Sequence, residues 1–136
     1  VILELSAVCL LRGRTCLNVR KDGTAHVILP GGKIEPGEDA LAAAVREARE
    51  ELRLDLDPSS LSCLGTFSAL PANGDADSIV CTVYVTGWQE SWPEPRPDHE
   101  IVEYEWTALD EAHADPRQAP LLVDAVIPAL RESGLL

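Results

Sequence analysis

From Asp39 to Leu52 the chain reads Asp-Ala-Leu-Ala-Ala-Ala-Val-Arg-Glu-Ala-Arg-Glu-Glu-Leu, with neither glycine nor proline. Alanine, leucine, arginine and glutamate are strong helix formers, so a helix here is the firmest constraint on the fold. Leu41, Val45, Ala48 and Leu52 fall at i, i+4, i+7 and i+11 and predict one core-facing stripe. Arg46, Glu47, Glu50 and Glu51 lie off that stripe. Asp39 stands where its carboxylate can cap a free amide of the first turn. Just ahead lies Gly31-Gly32-Lys33-Ile34-Glu35-Pro36-Gly37-Glu38, a glycine-rich turn. Glu47, Glu50 and Glu51 are spaced i, i+3 and i+4, so their carboxylates converge on one helical face. Hard cations such as Mg²⁺ take oxygen ligands and keep positions for substrate phosphates, and such a face matches that need.

The surrounding pattern alternates strand and loop. Ile2–Leu11 is nearly continuous in apolar residues, as in a strand buried on both faces. Arg12-Gly13-Arg14 reads as a tight turn into a second strand, Thr15–Arg20, and His26–Leu29 as a short strand before the glycines. Leu61–Leu70 and Ile79–Trp88 are further strand candidates, separated by a turn-rich Pro71–Asp77 loop. Ser91–Asp98 holds three prolines and reads as an extended loop inside one domain of residues 1–136. Ile101–Trp106 alternates, with Val102, Tyr104 and Trp106 on one face and Glu103 and Glu105 on the other. A last helix is expected from Pro120 to Gly134, with Leu122, Val126 and Leu130 inward and a kink at Pro128.

Composition removes several classes of function. A net charge of −12 opposes binding to nucleic-acid polymers, which requires clustered Lys and Arg. No apolar run is long enough to span a membrane, and the N-terminus lacks the basic leader of a signal peptide. Cys9, Cys16, Cys63 and Cys81 show no C-x-x-C spacing and sit in strand-like runs, which predicts reduced, buried thiols in a cytoplasmic protein. His26, His99 and His113 have no ligand spacing.

The segment Gly32-x5-Glu38-x7-Arg46-Glu47-Ala48-Arg49-Glu50-Glu51-Leu52-Arg53-Leu54 resembles the Nudix box, G-x5-E-x7-R-E-U-x-E-E-x-G-U, where U is a bulky aliphatic residue. Read alone, the glutamate triplet is an ordinary solvated helix face; its register with Gly32, Glu38 and Arg46 gives it the functional reading. Two positions depart from the pattern. Ala48 replaces a larger aliphatic residue, and Arg53 replaces the glycine that usually takes a left-handed conformation after the helix. At that position Arg53 is expected either to bear the strain or to end the helix differently, its cation near the negative helix end.

The resemblance implies an α/β fold, the Nudix α/β/α sandwich with a mixed β-sheet between helices. It implies hydrolysis of a nucleoside diphosphate linked to a further moiety, X, with Mg²⁺ as cofactor and Mn²⁺ as the alternative. Glu50 and Glu51 would be the main metal carboxylates and Glu47 a further ligand or the general base, oriented by Arg46. The Gly31 carbonyl would complete the metal shell, Gly32 and Glu38 would support the cluster, and Lys33 would face the phosphates. Glu100, with Glu103 as the other candidate, would supply an additional base or ligand. Arg20 resembles a phosphate-contacting position of MutT-type members, and Phe67 and Asn73 fall where such proteins build part of a base pocket; a hairpin end, a core phenylalanine and a turn asparagine explain the three equally well. The expected substrate is a (deoxy)nucleoside triphosphate, including oxidised ones, with ADP-ribose or another nucleotide sugar as the runner-up. The rival class is a Nudix-like module that senses a nucleotide without cleaving it. The expected partner is a small nucleotide alone, with no polymer and no membrane; a homodimer is compatible with the sequence.

Overall fold

The apolar run at the N-terminus becomes the middle of a sheet. β1 (Ile2–Arg12) pairs in parallel with β5 (Ser78–Gly87), from Ile2 opposite Ser78 to Leu11 opposite Gly87. On its other side it meets β2 (Thr15–Lys21) through a two-residue turn, in which Gly13 takes φ 59°, and the short β3 (Gly31–Lys33). β4 (Ser62–Ala69) and β6 (Ile101–Ala108) form the two edges, giving the order β4-β5-β1-β2-β6 with β3 beside β1. The structure, a computed structural model, describes residues 1–74 and 76–136; the expected loop at 71–77 therefore includes one residue, Asp75, outside the described set.

Ala7, Val8, Cys9 and Leu10 are all buried, because both faces of the sheet are covered. Val8 and Leu10, with Leu17 and Val19, face helix α1 (Ala40–Leu52). Ala7 and Cys9, with Cys81 and Val83, face the C-terminal helical segment that ends in α2 (Ile127–Glu132). This mixed sheet between two helical layers is the expected α/β/α sandwich.

Helix α1 starts where its cap was expected: the Asp39 carboxylate accepts from the Ala42 amide at 2.8 Å. Its buried face is turned relative to the expected stripe. Ala43, Ala44, Ala48, Glu51 and Leu52 are buried, whereas Leu41 and Val45 are half-buried. Three alanines let the helix settle close on the sheet, and that approach draws Glu51 inside. At the other end Arg53 takes φ 56°, ψ 38°, the left-handed cap the family pattern gives to glycine. Its amide donates to the Ala48 and Arg49 carbonyls, so the cap is made despite a strain of about 1–2 kcal/mol for a non-glycine residue. The alternative, a helix ended in some other way, does not occur.

Other expectations need correction. His26–Leu29 forms no strand: Ile28 bridges Val19 and Val27 bridges Gln118 as isolated pairs. In β6 a bulge between Arg20 and Lys21 of the partner strand places Ile101, rather than Val102, on the face of Tyr104 and Trp106; Ile101 is buried and Val102 exposed. Cys63 is exposed on the edge strand, while Cys9, Cys16 and Cys81 are buried, and all four are free thiols. The last helix begins as a π-helix over Leu121–Val126, with the Ile127 amide donating five residues back to Leu122, and continues as α2. Pro128 cannot donate, and the wider turn ahead of it takes up the expected kink. Leu122, Val126 and Leu130 point inward as expected.

The proline-rich loop after β5 is fastened rather than loose. Trp88 meets Trp92 and Trp106 edge-on, with ring centroids 5.0 and 5.2 Å apart, and Pro95 is buried beside them. Arg96 and Asp98 amides then donate to the Leu52 and Glu51 carbonyls at 3.0 Å, filling acceptors that the end of α1 leaves open.

Candidate active site

The ladder between β1 and β3 decides which backbone groups face the helix. The Val8 amide donates to Pro30 and the Ile34 amide to Glu4, so residues 30, 32 and 34 turn their backbone toward β1. Gly31 and Lys33 turn theirs away, toward α1. The Gly31 amide donates to Glu51 Oε1 at 2.9 Å, and the Lys33 carbonyl accepts from Arg46 Nη2 at 3.0 Å. Both glycines are required here by close approach. A Cβ on Gly31 would lie 2.3 Å from the Ser6 carbonyl oxygen, and one on Gly32 2.6 Å from Glu47 Oε1. Gly32→Ala is therefore expected to leave the sheet intact while displacing the Glu47 carboxylate. Measuring turnover beside thermal melting checks this: activity should fall by about 10-fold or more with the melting temperature little changed.

Arg46 gathers the box together. Its Nε and Nη2 hold both oxygens of Glu38 at 2.9 and 2.8 Å, and its Nη1 reaches Glu47 at 2.7 Å and Glu50 at 3.2 Å. The guanidinium keeps the Glu38 carboxyl low, at about 2, with help from the Glu35 amide. Glu47 is half-buried, and burial raises its carboxyl above the usual range against the opposing pull of Arg46. Glu51 is 2% exposed. Burial, with the nearby charge of Glu47, pushes its carboxyl up to about 8, although the Gly31 amide partly offsets this. Its second oxygen, Oε2, is buried and has no hydrogen-bond partner. A buried carboxylate with one oxygen bound and the other orphaned calls for a cation or a proton.

No three carboxylate, histidine or cysteine side chains among the described residues form a closed metal cage as they stand. Arg46 occupies Glu47 and Glu50, and this leaves the orphaned Glu51 oxygen as the feature that fits a hard cation.

Other expected site residues divide into two groups. Lys33 and Asn73 line a cavity of about 180 Å³ whose walls include Leu3, Leu5 and Ile79, opening beside Gly31 and Gly32. Glu100 sits next to Lys21, 3.3 Å from its Nζ, and close enough to Glu51 to raise its carboxyl further. Arg20 and Phe67 are engaged elsewhere. Arg20 donates to Glu103 at 2.6 Å and to the Thr24 carbonyl, and neither Arg20 nor Glu103 lines the cavity. The Phe67 ring lies over Gly65, where a Cβ would come within 2.8 Å of it, and packs on the core rather than the cavity. One residue the sequence reading passed over, Lys21, lines the cavity and lowers the carboxyls of Glu47 and Glu51 by its charge. Plain strand alternation places it there: Lys21 continues the face of Leu17 and Val19, toward α1, while Arg20 falls on the opposite face.

Comparison with known proteins agrees with this fold. A NUDIX domain family model matches residues 3–125. Solved structures with the same fold include the MutT NUDIX hydrolase of Burkholderia pseudomallei (23% identity, TM-score 0.67, 81% of this chain and 85% of that one). The MutT protein of Methanosarcina mazei Go1 is 18% identical, with TM-score 0.78 over 97% of this chain and 95% of that one. A bifunctional NMN adenylyltransferase/ADP ribose pyrophosphatase of Francisella tularensis, complexed with AMP and Mn ion, is 18% identical with TM-score 0.75, covering 98% of this chain and 42% of that one. No curated protein matches the sequence. The chain belongs to the NUDIX family, and with it to the pyrophosphohydrolases that act on phosphoric anhydride bonds.

Proposed function

We propose that this chain hydrolyses a nucleoside diphosphate linked to X in a Mg²⁺-dependent reaction, and that its preferred substrate is a (deoxy)nucleoside triphosphate, cut to a monophosphate and pyrophosphate. The observation that carries the reading is Glu51: fully buried, bound through one oxygen to the Gly31 amide, with its other oxygen unpartnered and the charge of Glu47 close by. Glu47, Glu50, Glu51 and the Gly31 carbonyl would hold the metal. Mg²⁺, or Mn²⁺ in its place, supplies positive charge to the phosphate oxygens and makes water easier to deprotonate.

Each of the chain's own groups then has a task. Lys33 and Lys21 flank the mouth of the cavity and face the phosphates, the second supplanting Arg20 in that role. Glu47, held by Arg46 and raised by burial, accepts the proton of the attacking water. The water oxygen bonds to phosphorus while the anhydride oxygen leaves in line with the electron pair. Glu100 is the additional carboxylate, standing against Lys21. Asn73 and the apolar cavity walls receive the base, which the amide can read at its edge. In this reading the protein is one domain over residues 1–136 and cytoplasmic, in keeping with four free thiols. No helix among the described residues is long and apolar enough to cross a membrane.

A nucleotide panel with Mg²⁺, including ordinary and oxidised nucleoside triphosphates and ADP-ribose, tests the proposal by chromatography of the products: a monophosphate with pyrophosphate from a triphosphate, AMP with ribose 5-phosphate from ADP-ribose. Pyrophosphate from a triphosphate is the expected result. Turnover of ADP-ribose alone would move the preference to nucleotide sugars, and binding without turnover of any member would leave a nucleotide sensor instead. Glu50→Gln should lower turnover by roughly 100-fold or more, with the circular dichroism spectrum preserved.

A further inference from the structure

Among the described residues, the non-glycine residues with positive φ are Arg53, at 56°, and His99, at 53°. They lie far apart in sequence, yet both are bound to the same side chain. Asp98 Oδ2 accepts from Arg53 Nε and Nη2 at 2.8 and 2.7 Å, and Asp98 Oδ1 accepts from the His99 amide at 2.8 Å. The backbone of Asp98 is used as fully: its amide donates to the Glu51 carbonyl, and its carbonyl accepts from Ile101, both at 3.0 Å. One residue thus joins the end of the helix that bears Glu50 and Glu51 to the turn that delivers Glu100. Glu100 is fixed in its turn, its carbonyl accepting from Asp22 at 2.8 Å and its side chain meeting Lys21.

We propose that Asp98 is a positioning residue for the hydrolysis: by holding Arg53 and His99 in left-handed conformations it sets the placement of Glu51 and Glu100 about the metal. The inference rests on the function proposed above. Stability alone does not account for this arrangement. Half-exposed ion pairs stabilise little, and two strained residues oppose folding, so a chain selected only for stability gains nothing from a carboxylate that maintains both. Strain held in place by surrounding contacts, next to groups that must be set accurately, is what a prearranged site requires. The proline-rich loop that carries Asp98, a strap across the end of α1, is anchored at its other side by buried Pro95 and the three tryptophans, so Asp98 does not have to fasten it as a whole. Partners that orient metal ligands ordinarily affect affinity or activity by about 10–100-fold.

The test compares four variants of the whole chain: Asp98→Ala, Asp98→Asn, Asp98→Ala combined with Arg53→Gly, and Asp55→Ala. The last removes the Arg49–Asp55 pair near the same helix end and serves as the control. Mn²⁺ binding to the nucleotide-free protein is followed by electron paramagnetic resonance, beside kcat and KM with Mg²⁺. Asp98→Ala should weaken Mn²⁺ binding by about 10-fold and lower kcat while KM stays near that of the unaltered chain. Asp98→Asn, which keeps an acceptor, should fall between. Glycine at 53 takes the left-handed cap without help, and the double variant should recover most of the Mn²⁺ affinity. Asp55→Ala should stay within about 2-fold of the unaltered chain. The idea is overturned if folded Asp98→Ala binds Mn²⁺ as the control does, or if Arg53→Gly restores nothing. An unaltered chain that binds Mn²⁺ but cleaves no nucleotide would sink the hydrolase reading alone, since the affinities still measure the strap. One that bound no Mn²⁺ would sink both.

Discussion

Glu51→Gln is expected to do two things at once: reduce turnover by roughly 100-fold or more and remove much of the fall in the metal-free protein's stability between pH 5 and pH 8. The second effect follows from the buried carboxyl. Its folded-state value is raised to about 8, whereas an unfolded glutamate titrates at 4.5. Between those values the folded chain retains a proton that the unfolded chain has released, so stability falls as pH rises through the window. Each pH unit across it costs up to about 1.4 kcal/mol, and the whole effect amounts to a few kcal/mol. Melting in EDTA from pH 5 to pH 8 should therefore show the unaltered chain losing ground to the glutamine variant. Added Mg²⁺ should return stability at pH 8 to the unaltered chain and not to the variant, because binding displaces the proton. Parallel curves for the two proteins in EDTA would show that Glu51 is not the buried acid described here.

Arg46→Ala should be the most damaging single change outside the apolar core. The guanidinium touches Glu38, Glu47, Glu50 and the Lys33 carbonyl, and Glu47 depends on it as a half-buried charge. Its loss leaves Glu38, Glu47 and Glu50 clustered without the one cation that touches all three. Breaking such a pair from one side costs about 3–5 kcal/mol when fully buried; partial exposure here brings the expectation to about 2 kcal/mol. Chemical denaturation measures that loss, and high Mg²⁺ should recover part of it. Activity should fall with it, since Glu47 loses its orientation. Arg46→Lys tests geometry against charge: a lysine keeps the cation and cannot span Glu38 and Glu47 together, so stability should recover further than turnover.

Much of this architecture was legible from residue pattern. The cap at Asp39, the strand at Ile2–Leu11 and the inward leucines of the last helix rest on local rules that tertiary packing did not alter. The burial of Glu51 was hidden, because a helical wheel ranks alanine low as a core residue. Here Ala43, Ala44 and Ala48 matter by being small, and their closeness to the sheet turns the helix. The place of Lys21, by contrast, was legible: it continues the face of Leu17 and Val19 along β2, and the resemblance drew the reading to Arg20 instead. What alternation could not show is the extra residue in β6, Val102, which sets Ile101 opposite Lys21 and on the face of Tyr104. The role of Asp98 depends on groups brought together only by the fold.

The parallel pairing of β1 with β5 also governs how the molecule comes into being. During synthesis β1 can pair with β2 early through its short turn, yet its other edge must wait for Ser78–Gly87. Contacts so distant along the chain make folding slow, in the range of milliseconds to seconds, since a long loop closes before the pairing repays it. Until then β1 presents an apolar edge open to any other strand. Partial synthesis products that stop short of β5 are therefore the form of this protein most prone to aggregate, whatever the stability of the finished fold.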